Sequence, residues 1–258
     1  MKNLFLLEIR KLLLSKSFYV CVGIMLAFSL LAVGFYYVAD KLLKAITAEE
    51  LLPDAVLPEV IITVNDVMIS AAATSSFTML MGIFTAVFIC EDYNRNTIKN
   101  VYSHGFSRDQ VFFAKMIVVA IATAAAYVLT LLFNFFIGLI FFGKFGEMNN
   151  LFLYLDQFLT ALVYVSFVAF ICFSFRKISY AVLFLLFAPR IFGMILSFID
   201  LLIDSETFKL AYYWFNVFME EVSAPADTKT LLTVGIGSIA YTALFTVLGW
   251  LVNRKHNI

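Results

Sequence analysis

Six long apolar blocks punctuate the sequence, near residues 18–39, 67–90, 112–142, 158–175, 179–199 and 231–252. A helix needs roughly 20 apolar residues to cross the hydrocarbon of a bilayer. Backbone groups find no water there, so a spanning segment of this length folds as a helix. The blocks therefore predict an all-α integral membrane protein with six transmembrane helices. The third block exceeds one crossing, and part of it is expected to project beyond the membrane. Composition agrees, with 63% hydrophobic and 14% charged residues, where soluble domains average about half and a quarter.

Orientation follows from Lys and Arg near the ends of the blocks. Lys2, Arg10, Lys11, Lys16, Arg95, Lys99, Arg108, Lys115, Arg176, Lys177, Arg254 and Lys255 fall on one side, and Lys41, Lys44, Lys144, Lys209 and Lys229 on the other. The basic-rich side is the inner one, so both termini are expected in the cytoplasm. The start is no signal peptide, because its polar lead is long and its apolar stretch is of full spanning length. Residues 1–17 instead predict an amphipathic helix at the inner membrane surface. Leu6, Ile9 and Leu13 would dip into lipid while Glu8, Arg10, Lys11 and Lys16 face headgroups. On the outer side, Pro53 and Pro58 break regular helix between Asp40 and Asp66. Residues 200–230 hold an aromatic-rich stretch that predicts an interfacial or re-entrant helix. The whole chain, 1–258, reads as a single transmembrane domain.

The segment with the most specific pattern is the connection at 91–111, between blocks two and three. Asn96 can cap a short helix over 97–102, and Gly105 is placed to end it in a left-handed conformation. Ser107 and Gln110 match a capping box, which would start the helix of the third block. A short, well-defined helix across the inner ends of two spans is expected.

These features together resemble the membrane subunits of ABC type 2 exporters. The shared marks are the amphipathic N-terminal helix, six spans, and a first inner loop with an acidic start, Glu91-Asp92. The loop continues with Thr97-Ile98-Lys99, then Ser107-Arg108 ahead of Lys115, while Asn96 stands where a Gly is common. The layout covers the whole chain, the motif only the loop. The resemblance implies a permease subunit in a bacterial plasma membrane, working as a homodimer or with a related permease. It implies a separate ATPase subunit that binds ATP and Mg, with no cofactor on this chain and no nucleic-acid partner. Thr97, Ile98, Lys99, Val101, Tyr102 and Phe106 would contact that subunit. Glu91, Asp92, Arg95 and Arg108 would orient the loop, with Asn96, Gly105 and Ser107 shaping it. The cargo expected is an amphipathic peptide, a drug or a lipid-like molecule.

Other patterns carry less. The stretch from Gly138 to Phe145 approaches a phosphate-binding loop but lacks its Ser or Thr and ends a membrane span. Glu220-Glu221 has no histidine on its side of the membrane, so metalloenzyme chemistry is not expected. Cys21, Cys90 and Cys172 have no metal-ligand spacing and read as packing residues. Arg190, near the middle of the fifth block behind Pro189, is a charge in an expensive place and is expected to line a cavity or join an ion pair. Asp156, Asn134 and Asp200 are its possible partners, and Asn134 and Asp156 join it as intramembrane polar pathway residues. Gln157, Thr130 and Thr160 read as ordinary interhelical hydrogen-bonders. A sensor or scaffold would call for larger outer domains, and an ion-coupled transporter for more acidic residues within the spans.

Overall fold

The computed structural model describes residues 2–48, 63–72, 75–146, 151–203, 209–223 and 227–255. Six of its helices are long and apolar enough to cross a membrane. They are α2 (Lys16–Ala48), α4 (Ser75–Asn94), α6 (Arg108–Phe142), α7 (Leu151–Phe175), α8 (Ile178–Ile203) and α10 (Thr228–Lys255). Four shorter helices accompany them: α1 (Lys2–Leu14), α3 (Val64–Ala72), α5 (Ile98–Ser103) and α9 (Phe215–Glu221), the last preceded by a 3-10 turn at Ala211–Tyr213. The chain is a multi-pass membrane protein. Contacts gather α1, α5, the α7–α8 connection and the end of α10 at one end of the bundle, the proximal end. Trp250 Nε1, for example, donates to Asp109 at 2.9 Å, and the Arg176 guanidinium lies 5.2 Å from the Tyr93 ring centre.

The span in the middle is α7, with 67% of its apolar window buried against 17% for α8. Bundle interiors in lipid gain little from hydrophobicity and depend on close packing, which small residues allow. Along α10 these are Gly235 and Gly249. A methyl added at Gly249 would stand 3.4 Å from the Phe170 Cα, and one at Gly235 would stand 2.8 Å from Asp156 Oδ1. The surfaces of α2, α8 and α10 turned away from α7 carry exposed large apolar residues, among them Phe35, Met194, Leu201 and Ile236. At 35 residues, α6 is about 52 Å long, well beyond the roughly 30 Å of hydrocarbon.

Several boundaries differ from the sequence reading. The second block falls in α3 and α4, with residues 73 and 74 between them outside the described residues. The fourth span starts at Leu151 rather than Phe158. The first span's helix, α2, runs on through Asp40 to Ala48, where a loop was expected, while Pro53 and Pro58 lie outside the described residues. Gly143, which had looked like part of a phosphate loop, ends α6 at φ 66°, its N–H donating to Leu139 O.

The aromatic-rich segment after α8 folds back against α8 and α7. The Asp200 carboxylate accepts from the N–H groups of Leu210 and Ala211 at 2.7 and 2.8 Å and turns the chain back. Trp214 then donates to Pro189 O at the middle of α8, and Phe215 packs on Tyr164 and Phe167 at the middle of α7. From there α9 climbs until the Val222 carbonyl meets Gln157. Helices that stop inside an apolar layer leave carbonyls without partners. Gln157, fully buried, serves the one at the end of α9 and reaches α3 as well, since Nε2 donates to Val222 O at 2.9 Å and to Ile69 O at 3.2 Å. Its Oε1 accepts from Tyr127.

Gln157→Leu keeps the side-chain volume but removes the hydrogen bonds to both carbonyls and the one from Tyr127. At about 1–3 kcal/mol for each stranded group, it is expected to destabilise the protein by roughly 2–4 kcal/mol. Thermal or denaturant unfolding in a fixed detergent checks this, and a melting point equal to the parent's would remove Gln157 as the tie between α3 and α9.

Candidate functional site

At the proximal end the chain leaves α4, makes a tight turn and forms α5 before entering α6. Asn96 occupies the left-handed region at φ 55°. The expectation that Asn96 caps α5 is thus corrected: it supplies the reversal before the helix, which Asn tolerates better than most residues. Thr97 is the N-cap residue instead, and its hydroxyl donates backward to Asp92 Oδ1 at 3.0 Å rather than capping forward. Gly105, at φ 86°, ends α5 as expected, and its N–H donates to Tyr102 O. Ser107 and Gln110 form the reciprocal capping box that starts α6.

Asp92 is the hub of a buried charge cluster. Lys11 of α1 donates to its two oxygens at 3.1 and 3.0 Å, and Lys115 of α6 donates to Oδ2. Glu8 of α1 completes the group, 3.3 Å from Lys11 and 3.5 Å from Lys115. Glu8 and Lys115 are both 0% exposed. Two carboxylates and two ammonium groups balance, which is the condition under which charges survive burial. Burial works against the Lys11 charge, yet Glu8 and Asp92 outweigh it and hold the proton above the ordinary lysine range. The sequence reading had turned Glu8 toward headgroups. It points inward because Leu4, Glu8 and Leu12, each four residues on, form the buried stripe of α1. Leu6 and Leu13 are exposed on the opposite side, as expected, together with Leu7 and Leu14.

The apolar side of α5 is also covered by the chain itself. Ile98 is 4% exposed and packs with Leu4, Val111 and Ala114, ringed by Tyr93, Val101, Tyr102 and Phe106. A partner therefore cannot reach Ile98, contrary to the sequence reading. Apart from Gly105, the exposed residues of the loop are polar: Asn94, Arg95, Asn96, Lys99, Asn100, Ser103, His104 and Ser107. Arg95 pairs with Glu91 at 2.8 Å on the surface, and Arg108 is half-buried with its carbonyl accepting from Asn253 at 3.4 Å. The end of α10 braces the start of α6 through Trp250 and Arg254, both directed at Asp109.

The intramembrane polar residues do not converge. Arg190 is exposed at the middle of α8 and makes no hydrogen bond or ion pair among the described residues. Its expected partners are engaged elsewhere or buried apart. Asp200 holds the turn before α9, and Asn134 is buried against Ser29 and Thr130. Asp156 is buried beside Gly235 of α10. Thr160 and Thr130 donate to carbonyls one turn back in their own helices, as ordinary membrane hydroxyls do. The three cysteines are buried and free, and no group suited to a metal ion occurs among the described residues. The sequence reading missed the charge cluster, whereas Gln157, read as an interhelical hydrogen-bonder, is one. The available signal was a polar residue on an apolar stripe: Glu8 between Leu4 and Leu12, and Lys115 between Ala114 and Val118.

In comparisons with known proteins, a family model described as ABC-2 family transporter protein matches residues 4–199. The match runs from α1 through the charge cluster and α5 into the last turns of α8. No curated protein matches the chain.

Lys115→Met would leave Glu8 and Asp92 sharing one half-exposed ammonium. Breaking a buried pair from one side costs about 3–5 kcal/mol. Adding Glu8→Gln removes one stranded charge, so the double variant is expected to melt above Lys115→Met alone. If the two changes instead add as independent losses, the cluster is not a coupled unit.

Proposed function

The chain belongs to the ABC-2 family of transporter membrane proteins, and on that premise we propose that it is the permease subunit of an ATP-driven exporter. The observation that carries this reading is the rigid presentation of α5. An isolated six-residue helix is unstable in water, since nucleation takes most of a turn. Here a left-handed residue, a glycine stop, a capping box and a buried apolar side hold it in place, and a polar face is left free. That face is the docking surface for an ATPase subunit, with Lys99, Asn100, Ser103 and His104 at its centre. Motion of α5 passes through Thr97 to Asp92, and from Asp92 to α1 and α6 together. The distribution of Lys and Arg supports a cytoplasmic proximal end, with both termini on that side. ATP and Mg belong to the partner, and two permeases, identical or related, enclose the pathway.

Arg190 supports the paired arrangement. A guanidinium at the middle of a span costs roughly 3 kcal/mol by insertion scales when it faces lipid. The exposed face of α8 is therefore turned to the pathway, where water, a second permease or the cargo meets the charge. An amphipathic molecule suits walls this rich in aromatic residues.

The docking test separates surface from core. Lys99→Glu with Ser103→Arg is expected to abolish co-purification of the ATPase subunit and cargo-stimulated ATP hydrolysis at an unchanged melting temperature. Ile98→Asp should lower the melting temperature instead, because it buries a carboxylate within this chain. Survival of coupling in the surface double variant would make α5 a connector. Arg190→Leu is expected to abolish transport while melting at or above the parent's temperature. Orientation is read by cysteine labelling in intact cells, where position 100 should be protected and position 227 reached from outside.

A further inference from the structure

Arg176 occupies a backbone position that suits another residue. It and Lys177 alone join α7 to α8, and its φ of 55° is left-handed. A side chain there crowds a carbonyl, and the ordinary occupant of such a helix end is glycine. The Arg176 N–H donates to Cys172 O at 2.8 Å and closes the last turn of α7, which a glycine would do as well. The reason for an arginine lies in its side chain.

That side chain has donors without acceptors. The guanidinium lies 5.2 Å from the ring centre of Tyr93 at the end of α4. Arg176 is half-buried, and its Nε is enclosed with no hydrogen-bond partner among the described residues. The Tyr93 hydroxyl is in the same position. The carboxylates of the proximal end are engaged elsewhere. Glu8 and Asp92 hold Lys11 and Lys115, Glu91 holds Arg95, and Asp109 faces Arg254. Arg10, Lys16 and Lys99 are exposed, so water serves them, but a partly covered guanidinium has fewer waters to turn to.

The neighbours set the depth. Phe175 and Tyr180 are each 45% exposed, with ring centres 5.5 Å apart, and Lys177 Nζ lies 5.7 Å from the Tyr180 ring centre. Exposed aromatic rings beside basic residues mark the boundary of membrane and water, the level of lipid headgroups.

We infer that Arg176, with Lys177 and the hydroxyl edge of Tyr93, holds the phosphate of an anionic phospholipid in the leaflet at the proximal end. A guanidinium offers phosphate oxygens a planar fork of donors. Two cations without carboxylates favour a headgroup of net negative charge over a zwitterionic one, whose own cation they would repel. The acyl chains run past Phe175 and Tyr180. The bound lipid ties the α7–α8 turn to the end of α4, from which α5 departs. None of this rests on the exporter reading.

The full chain in detergent is melted with phosphatidylglycerol, with phosphatidylcholine of the same chains, or with glycerol 3-phosphate. Phosphatidylglycerol is expected to raise the melting temperature saturably and to stay attached in native mass spectra, and the other two should do neither. An equal shift from either of them overturns the proposal, glycerol 3-phosphate by making the ligand a soluble phosphate. Arg176→Gly relieves the left-handed crowding, so it should melt at or above the parent's temperature without lipid and lose the shift. Arg176→Lys keeps the crowding and the charge but not the fork. It should need about tenfold more lipid for the same shift, and it carries the test should the glycine variant fold poorly. Arg10→Gln removes an exposed cation from the same end and should respond like the parent. The proposal falls if both Arg176 variants respond like the parent. It falls equally if Arg10→Gln loses as much as they do, since the attraction would then be that of any basic surface for an anionic one.

Discussion

An ammonium group with no solvent contact must find its countercharges in protein, and Lys115 finds them in two other helices. Glu8 and Asp92 cannot leave Lys115, nor it them, without exposing a buried charge to an apolar surrounding. This requirement docks α1 against α6 and fixes the proximal end of α4 between them. The apolar contacts then follow from the docking: Leu4 reaches Ile98, Val111 and Ala114 only because α1 lies in that register. The N-terminal helix is therefore amphipathic on two counts. Leu6, Leu7, Leu13 and Leu14 face outward, where a bilayer surface accepts them, and the inner stripe is half apolar and half ionic.

A different constraint governs the deeper half of the bundle. Two short helices, α3 and α9, each present a carbonyl to a donor from another helix. One amide, that of Gln157, meets both. The centrality of α7 follows, since it is the helix that carries Gln157 and lies against α9 and α10. Glycines at 235 and 249 then let α10 approach closely enough to close the remaining gap. Polar residues in this bundle act as fasteners between helices, and the apolar ones fill space between them.

The spans were legible in the sequence because length and hydropathy are properties of a local window, and the same holds for the glycine stop at 105 and the box at Ser107 and Gln110. Asn96 was misplaced by one role, because an Asn serves well both as a helix cap and in the left-handed region, and only the backbone decides. Glu8 was misread for a different reason. Its environment depends on Lys115, more than one hundred residues away, and a charge on a membrane-surface helix ordinarily faces water. Ile98 follows the same logic: the residues that cover it come from α1 and α6, which no window around α5 contains.

The position of Asp92 explains how a six-residue helix could act on a bundle several times its size. A loop that merely touched the spans would dissipate a push in side-chain rearrangement. Asp92 instead receives a hydrogen bond from Thr97, the residue that begins α5, and shares its other contacts with α1 and α6. Displacing α5 along that bond therefore strains a charge network that cannot relax by solvation, because Glu8 and Lys115 have no water to turn to. The network moves as a unit or breaks at a cost of several kcal/mol, comparable with what ordinary allosteric couplings transmit. Since α6 continues from this network to the far end of the bundle, where Val64 of α3 rests on Gly138, a shift of its proximal end is carried to α3 by a single rigid helix.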